Sequence, residues 1–324
     1  MRRRLLLAKR RAGGALDPNA AVSRRENRVP DGLTTGQGDR AAILEAMVAP
    51  EQVRRNVTPV RVVAVRDGAR TERADTLATE EPLEIRAQGP GQEATRVAVT
   101  MRTPGGDFEL AAGFLFTEGL VQSADIERVA YCDDLDDEEQ RYNVVTVTLT
   151  TPFDADRLSR NFFATSSCGV CGKASLDDIA VRCDVVPPGF TVPAEVLVEL
   201  PDRLRSAQRV FDRTGGLHAA GLFTAEGAAI SVREDVGRHN AVDKIVGEQL
   251  LAGNVPLADR VLQVSGRASF EIVQKAAVAG IPVVSAVSAP SSLAVEAGER
   301  LGVTVVGFVR DGRCNVYSHP DRIV

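Results

Sequence analysis

Residues 260–308 read RVLQVSGRASFEIVQKAAVAGIPVVSAVSAPSSLAVEAGERLGVTVVGF, and this stretch decides the fold class. Short runs rich in β-branched residues alternate with longer segments whose apolar residues recur at helical spacing. The pattern predicts strands at Arg260–Ser265, Ile281–Ala286 and Val303–Phe308, separated by helices around Ser269–Ala279 and Ser291–Ala297. Strands separated by helices are typical of a layered α/β domain that binds ligands at the carboxyl ends of its strands.

The sequence that precedes this stretch shows similar patterns of strands and helices. A helix opened by Pro201 and running to about Phe211 is predicted, then a strand at Ala229–Arg233, then a helix that begins with Glu234 and Asp235. Further upstream, a smaller α+β module is predicted, with strands at 60–65, 83–87, 95–102 and 142–149 and a helix from Asp107 to Gly119.

The chain therefore divides into four predicted segments. These are a basic, disordered extension at 1–56, an α+β module at 57–155, a mobile loop and linker at 156–190, and an α/β domain at 191–324. The first 50 residues carry ten basic and five acidic side chains, whereas the whole chain of 324 residues has a net charge of −5. A basic arm for a partner is the alternative reading of that extension.

Composition excludes several classes of protein. The chain is 44% hydrophobic and 26% charged, as expected of a globular protein. It has no Trp and only 4% aromatic residues, which disfavours nucleic-acid binding by base stacking. No apolar run approaches the ~20 residues that a membrane helix needs, and the basic start lacks a secretory apolar region. Five cysteines without framework spacing indicate a reducing compartment, so we expect a cytoplasmic protein that contacts neither nucleic acid nor membrane.

The most informative motif is SSCGVCGK at 166–173, with Cys168 and Cys171 two residues apart. Zinc sites, dithiol redox couples and sulfur carriers all use such pairs. The other Cys and His residues are scattered singly, which disfavours a structural zinc site, and no structural metal is predicted. The small hydroxyl and glycine flanks argue against buried, inert thiols and favour an exposed loop. Lys173 and loop amides would lower the pKa of a reactive thiol.

Three polar loops follow the predicted strands of the α/β domain. Gly266 and Arg267 follow the first strand, small hydroxyl residues at 288–292 follow the second, and the last strand runs into a turn with two guanidiniums. The residues of that turn are Phe308, Val309, Arg310, Asp311, Gly312 and Arg313. Together the loops suit a nucleotide or pterin-phosphate pocket, although each alone is equally a helix cap or a solvated turn.

Two histidines lie near these loops in the predicted order of elements. His218 follows a Gly-Gly turn, and His239 lies in a segment crowded with acidic residues and arginine. Each is consistent with a hydrogen-bonded structural histidine. The alternative hypothesis is that they bind a ligand or pass protons at the thiol site, which His239→Gln would test through ligand affinity and sulfur transfer.

The segments taken together resemble the FdhD/NarQ family of formate dehydrogenase accessory sulfurtransferases. The resemblance covers about residues 57–324. The matching text, in order, is EPLEI (81–85), MRTPG (101–105), TSSCGVCGKASL (165–176), TGGLHAA (214–220), REDVGRHNAVDK (233–244), GRASFEIVQK (266–275), AVSAPSSLA (286–294) and GFVRDGR (307–313). So many ordered matches are far more specific than one Cys-x-x-Cys pair.

The resemblance implies a cytidine-deaminase-like α/β/α fold for the second module and a homodimer. It implies a carrier that takes persulfide sulfur from a cysteine desulfurase and passes it to the molybdenum bis-molybdopterin guanine dinucleotide cofactor before insertion into formate dehydrogenase. By motif, Cys168 carries the persulfide, Cys171 is its partner, and 308–313 binds the cofactor, with Gly266 and Arg267 as weaker candidates. Deaminase chemistry is not implied, because its zinc signature is absent.

Two other functions remain open at this point. A zinc-stabilised nucleotide-binding module would contain about one zinc per chain. A chaperone that merely holds the cofactor would work without the Cys168 thiol. The order in which Cys168 and Cys171 act is not determined by the sequence.

Overall fold

The computed structural model describes residues 55–132, 141–156 and 184–324. Its strands are β1 Val57–Arg66, β2 Ala69–Ala78, β3 Glu81–Gln88, β4 Thr95–Arg102, β5 Ile126–Tyr131, β6 Val144–Leu149, β7 His218–Phe223, β8 Ala229–Asp235, β9 Val261–Val264, β10 Val283–Ala286, β11 Thr304–Arg310 and β12 Arg313–Val316. Its α-helices are α1 Asp107–Thr117, α2 Ala194–Ala207, α3 Arg209–Thr214, α4 Arg238–Leu251, α5 Phe270–Val278 and α6 Ser292–Leu301. The mixed α/β class predicted from the sequence is confirmed.

A six-stranded mixed sheet forms the centre of the second half of the chain. Its order is β12-β11-β10-β9-β7-β8, with β9, β10 and β11 parallel to one another. Alternate side chains leave the sheet on opposite faces. Val261, Val283 and Val306 pack with the leucines of α2, whereas Leu262 and Val284 belong to the core that α4, α5 and α6 cover. The result is a three-layer α/β/α arrangement.

The first half of the chain contains two further sheets. A four-stranded sheet has the order β4-β3-β6-β5, and its buried face, which includes Leu83 and Ile85, packs in the same hydrophobic core as α1. The two remaining strands, β1 and β2, form an antiparallel hairpin whose turn is Asp67 and Gly68, both with positive φ.

Helix α1 packs directly against α4, and two glycines set their separation. A Cβ added at Gly113 would lie 1.9 Å from the carbonyl oxygen of Asp243, and one added at Gly247 would lie 1.8 Å from that of Glu109. Neither distance is possible for a real side chain, so only glycine permits this crossing. The first half of the chain thereby shares one hydrophobic core with the second.

Several predicted boundaries differ from the structure. Pro201 does not open a helix: it lies inside α2, which begins at Ala194 and tolerates the missing N–H because its apolar face is buried against the sheet. Glu234 and Asp235 end β8 instead of opening α4. The predicted strand from Tyr142 begins at Val144, after a 3₁₀ turn.

Four strands were missed by the sequence reading, namely β2, β5, β7 and β12. Most of the ten residues of β2 are exposed, and its polar sequence carries no alternation for a periodicity argument to detect. Strand β12 has only four residues. Both are specified by pairing with a neighbour more than by their own side chains.

Within the described ranges, no helix is both long and apolar enough to cross a membrane. The longest, α2 and α4, have 14 residues each, against the ~20 that a bilayer requires.

Candidate functional site

The three predicted polar loops lie side by side at one edge of the six-stranded sheet. This follows from the parallel pairing of β9, β10 and β11, whose carboxyl ends meet there. The backbone joins them: the N–H of Ser288 donates to the carbonyl of Gly266 (3.2 Å), and the N–H of Phe308 donates to that of Ser288 (3.1 Å). Because β7 runs antiparallel to β9, its first residue, His218, reaches the same edge.

A cavity of about 760 Å³ opens at this edge. One wall belongs to the sheet and includes His218, Ser265, Val287, Arg310, Asp311 and Gly312. The opposite wall belongs to α2, α3 and the turn between them, and includes Pro201, Asp202, Leu204, Gln208 and Phe211. Its volume lies within the ~300–1,000 Å³ range of small-molecule sites.

The turn after β11 has an unusual backbone that directs its side chains. Phe308 and Asp311 have φ of 54° and 53°, and the pairing of β11 with β12 is irregular between Gly307 and Arg310. Val309 is fully buried in the core, whereas Arg310 is exposed at the cavity with its guanidinium 5.6 Å from the Phe308 ring. The turn therefore offers Arg310 to a ligand and keeps Val309 away from it.

His218 faces the loop that follows β9. A Cβ added at Gly266 would lie 3.6 Å from its Nδ1 atom, an ordinary contact distance, so the ring lies directly beside this loop. Partial removal from water and the positive charge of Arg238 both lower the pKa of His218, while Asp235 opposes them. A lowered pKa favours the neutral ring, which can accept as well as donate a hydrogen bond.

His239 lies in the first turn of α4 and contacts the start of α5. Its Nε2 is 3.1 Å from Oγ of Ser269, whose hydroxyl makes no capping bond to α5. Burial, together with the charge of Arg238, lowers the pKa of His239 to about 4 despite the neighbouring Glu271 carboxylate. His239 is therefore neutral near pH 7, and its 3.8 Å approach to Glu271 is not an ion pair under those conditions.

Three guanidiniums at this edge lack a carboxylate within ion-pair distance among the described residues: Arg238, Arg267 and Arg310. The Nε of Arg238 is buried and has no hydrogen-bond partner. Elsewhere in the described domain the buried lysines are paired, Lys244 with Asp235 at 2.7 Å and Lys275 with Asp243 at 2.9 Å, whereas buried Arg322 donates to backbone carbonyls and, like Arg238, has an Nε without a partner. Unpaired cations beside a cavity favour an anionic ligand.

Comparison with known proteins places the chain in a family. The model of the FdhD/NarQ family matches residues 78–324. The chain belongs to the FdhD/NarQ family. A relative from Streptomyces avermitilis named sulfur carrier protein FdhD is 55% identical over 272 residues, which cover 81% of this chain and 94% of the relative. One of the same name from Sulfolobus acidocaldarius is 44% identical over 268 residues, covering 82% and 98%.

A solved structure of a formate dehydrogenase accessory protein from Desulfotalea psychrophila also resembles this FdhD/NarQ chain. Its TM-score is 0.64 at 26% identity, and the match covers 83% of this chain and all of the other. The recognition made from the ordered motifs is therefore confirmed.

The structure of this family member brings some predicted residues together and separates others. His218, Arg310, Asp311 and Gly312 line the cavity. Gly266, Arg267, Phe308 and Arg313 belong to the same loops; His239 lies at the α4–α5 junction beside them, and Val309 is in the core. Cys168 and Cys171 lie outside the described residues. Their roles, like those of the cavity residues, stay predictions.

Sequence reasoning missed the helical wall of the cavity. Gln208 and Phe211 were assigned to one continuous helix, because nothing in their local sequence marks the break between α2 and α3. Arg238 was missed as an unpaired cation, because partners that are distant in sequence are not visible without the fold. Within the part of the chain that the structure describes, no group of three or more His, Cys, Asp or Glu side chains could hold a metal ion.

Proposed function

We propose that this chain is a sulfur carrier for formate dehydrogenase. It accepts persulfide sulfur on Cys168 from a cysteine desulfurase and transfers it to molybdenum bis-molybdopterin guanine dinucleotide before that cofactor enters formate dehydrogenase. Family membership supports this, because relatives that match over most of their length are named sulfur carrier protein FdhD. The cofactor is the substrate of the transfer, and the carrier acts as a homodimer, as the family resemblance suggests.

One structural observation supports the cofactor-binding part: the 760 Å³ cavity has a free guanidinium at its mouth. Arg310 has no carboxylate partner in the described part of the chain, and the nearby Asp311 lies 4.0 Å from Arg313. A guanidinium binds phosphate oxygens in a bidentate manner, and a diphosphate would satisfy it. Neutral His218 and the hydroxyl of Ser265 would then contact uncharged parts of the ligand.

The proposed chemistry requires a thiolate and a persulfide. The Cys168 thiolate attacks the outer sulfur of the desulfurase persulfide, and the donor cysteine leaves as a thiolate. In one sequence of events, Cys171 then attacks the inner sulfur, which forms a Cys168–Cys171 disulfide and releases hydrosulfide at the metal. In the other, Cys171 attacks the outer sulfur and becomes the persulfide itself.

The chain has enough length for the thiols to reach the cavity. Described structure resumes at Asp184, and the N–H of Val186 donates to the carbonyl of Leu301, at the edge of the sheet opposite the cavity. Helix α6 spans the two edges with ten residues, about 15 Å. Cys168 precedes Asp184 by 16 residues, which cover at most about 55 Å when extended.

The decisive experiment is incubation of the full chain with a cysteine desulfurase and cysteine, followed by intact-mass and peptide analysis. We expect a mass increase of one sulfur atom that maps to Cys168 and disappears in Cys168→Ala. Cys314→Ala is the matched control, because Cys314 lies on β12, within the described residues but outside the cavity. No persulfide on either Cys168 or Cys171 would sink the proposal.

Further variants separate the remaining alternatives. If Cys171 releases hydrosulfide, Cys171→Ala accumulates the Cys168 persulfide; if it relays sulfur, the wild-type persulfide maps partly to Cys171. If the protein is a chaperone that transfers no sulfur, its Cys168→Ala variant should restore formate dehydrogenase activity fully. A zinc-stabilised module would contain stoichiometric zinc by metal analysis.

A further inference from the structure

The two ends of the segment that carries the thiols are each held against the core by a polar side chain that has no part in the cavity. This thiol segment is residues 154–185, which include Cys168 and Cys171 and lie between Phe153 and Val186. The two flanking side chains are only 7% and 4% exposed, and both belong to the hydrophobic core that the two halves of the chain share. The thiol segment therefore begins and ends at fixed residues.

At the upstream end, the Gln92 side chain pairs with the backbone of Phe153. Its Nε2 donates to the Phe153 carbonyl (3.1 Å), and its Oε1 accepts from the Phe153 N–H (2.7 Å). By making both bonds, the amide takes the place of a partner strand. Gly89 lets the turn before Gln92 approach this closely, because a Cβ there would lie 2.7 Å from the Phe153 nitrogen.

At the downstream end, Arg322 binds the backbone of the first linker residues. Its Nη2 donates to the carbonyls of Val186 (3.4 Å) and Pro187 (2.9 Å), and its Nη1 donates to that of Gly302 (2.7 Å). Gly302 has no room for a side chain, since a Cβ would lie 2.5 Å from the Val186 carbonyl oxygen. The N–H of Val186 donates to the carbonyl of Leu301, so the guanidinium and the end of α6 hold this residue together.

Arg322 is a buried cation that has no carboxylate partner among the described residues. It is only 6% exposed, burial lowers its pKa, and its Nε has no hydrogen-bond partner. Removing a guanidinium from water in this way is unfavourable, and an apolar side chain would fill the same space without that desolvation. The guanidinium is better explained by what it holds, because its fork of N–H groups can donate to several carbonyls at once.

The carboxyl terminus holds the linker at a second place. The N–H of Val192 donates to the Arg322 carbonyl (2.9 Å), and the N–H of Val324 donates to the Val192 carbonyl (3.1 Å). These bonds use only backbone atoms, so they do not depend on the guanidinium. If the Arg322 side chain is removed, Val192 is the next residue of the linker that remains held.

The positions of the two ends set the length of the tether between the thiols and the cavity. Transfer from a tethered thiol is intramolecular, and its rate follows an effective concentration that falls roughly as the −3/2 power of tether length. With both ends held, the tether comprises residues 154–185. Without the two side chains it comprises 150–191, from the end of β6 to Val192. Loading by a separate desulfurase is bimolecular and does not depend on this length.

We propose that Gln92 and Arg322 are positioning residues for sulfur transfer, because they hold the two ends of the segment that carries Cys168 and Cys171. The proposal rests on the proposed function for the transfer itself. Neither side chain lines the cavity, so each acts through the backbone to which it is bonded.

The first measurement is hydrogen exchange of the full chain by mass spectrometry. Gln92→Ala should speed exchange in the peptide that contains Phe153, and Arg322→Met should speed it in the peptide that contains Val186. We expect a factor of roughly 2 to 10 in each case, as for the loss of one or two hydrogen bonds. Wild-type exchange rates at these residues in the variants would overturn the proposal, because the two side chains would then not hold the ends.

Arg203→Met is the matched control for Arg322→Met. Arg203 also donates to two backbone carbonyls, those of Glu226 and Gly227, which lie outside both the thiol segment and the cavity. This variant should leave exchange at Val186 unchanged. Arg322→Lys keeps a cation that can donate to the carbonyls and should restore slow exchange at least in part.

The second measurement separates positioning from folding in the double variant of Gln92→Ala and Arg322→Met. The variant is loaded with a cysteine desulfurase and cysteine, and its persulfide is then treated with cyanide. Cyanide attacks the outer sulfur, the S–S bond breaks, thiocyanate forms and the cysteine leaves as a thiolate. Because cyanide diffuses freely, loading and the rate of thiocyanate formation should match those of the wild type.

Activation of formate dehydrogenase, which needs transfer to the bound cofactor, should be slower in the same variant by a factor of roughly 1.5 to 2. Unchanged activation by a variant whose ends exchange faster would overturn the proposal. A parallel fall in loading, thiocyanate formation and activation would also overturn it, because the two residues would then serve folding alone. Absence of persulfide on the wild-type chain would instead overturn the sulfur-carrier proposal, while hydrogen exchange still decides whether the two side chains hold the ends.

Discussion

Buried charges are paired in one region of the molecule and unpaired in another. The first region is the interface between α1, α4 and α5, and the second is the cavity edge of the sheet. At the interface, buried Lys275 lies 2.9 Å from Asp243 and 2.7 Å from Glu118, and buried Lys244 lies 2.7 Å from Asp235. At the cavity edge, Arg238, which follows Asp235 by three residues, has no carboxylate partner within the described residues. The buried lysines at the interface are thus neutralised by neighbouring carboxylates, whereas Arg238 at the cavity edge is not.

The largest expected effect on stability comes from removing the Lys275 ammonium from the cluster that it forms with Asp243 and Glu118. Lys275→Met leaves Asp243 and Glu118 without their shared lysine, so we expect a loss of about 3–5 kcal/mol in the free energy of unfolding. Arg310→Met removes a cation from the cavity edge and should change stability by less than about 0.5 kcal/mol. Urea denaturation of both variants measures the difference. Similar losses of unfolding free energy in the two variants would contradict the stated difference in ion pairing between the interface and the cavity edge.

The close helix crossing gives the next largest effect. Gly247→Ala places a Cβ 1.8 Å from the Glu109 carbonyl oxygen, and α1 must move away from α4. We expect a loss of roughly 1–3 kcal/mol in the free energy of unfolding. At the cavity, Gly216→Ala meets no atom closer than 3.8 Å and is the matched control, with a change within about 0.5 kcal/mol. An unaffected melting temperature for Gly247→Ala would contradict the packing described.

The stability contributed by Asp243, in the cluster with Lys275 and Glu118, should depend on pH. Burial raises the pKa of Asp243 to about 6 from an ordinary 3.8, with Glu118 adding to the rise and Lys275 and Thr117 opposing it. The folded state therefore binds more protons than the unfolded state between pH 4 and pH 6, and the contribution of Asp243 to stability falls as pH rises through this window.

The measurement is the free energy of unfolding of the wild type minus that of Asp243→Asn, at several pH values. We expect this difference to decrease between about pH 4 and pH 6 and to be level above that range. A difference that increases with pH would mean that the Lys275 ammonium outweighs burial and holds the pKa of Asp243 below its ordinary value.

The smallest effect concerns the histidines at the cavity edge. The charge of Arg238 contributes to the lowered pKa of both His218 and His239, so Arg238→Gln should raise both. Titration of the imidazole resonances by NMR measures the two values. Arg267→Gln is the control and should leave them in place, since Arg267 is not among the charges that shift either group. If the pKa of only one histidine changes in Arg238→Gln, the charge of Arg238 acts on that ring alone.

Much of the fold could be predicted because its elements have strong local patterns. Helix α1 and strand β4 matched their predicted bounds closely, and the alternation at 260–308 correctly placed three parallel strands with their loops on one edge. Strand β2 could not be predicted, because its polar residues become a strand only by pairing with β1. Pro201 was misplaced because a buried face stabilises a helix that proline disfavours locally.

The candidate site divides in the same way. Arg310 was predicted because polar residues at strand ends stand out in sequence, and His218 because it follows a Gly-Gly turn; both line the cavity. Val309 was included in the predicted turn but is fully buried, because the irregularity between Gly307 and Arg310 places it in the same core cluster as Val306. Arg238 carries no local signal, because what distinguishes it is the absence of a carboxylate partner among the described residues.

The sequence by itself determined the α/β class, the family and the pair of thiols at Cys168 and Cys171, because periodicity and ordered motifs are properties of neighbouring residues. Only the tertiary structure decided which charges are neutralised. Lys275 and Arg238 look alike along the chain, yet one meets Asp243 and Glu118 from other helices, while the other meets no carboxylate among the described residues. The physical reason is that ion pairing and burial depend on distances in space, and residues far apart in sequence set those distances.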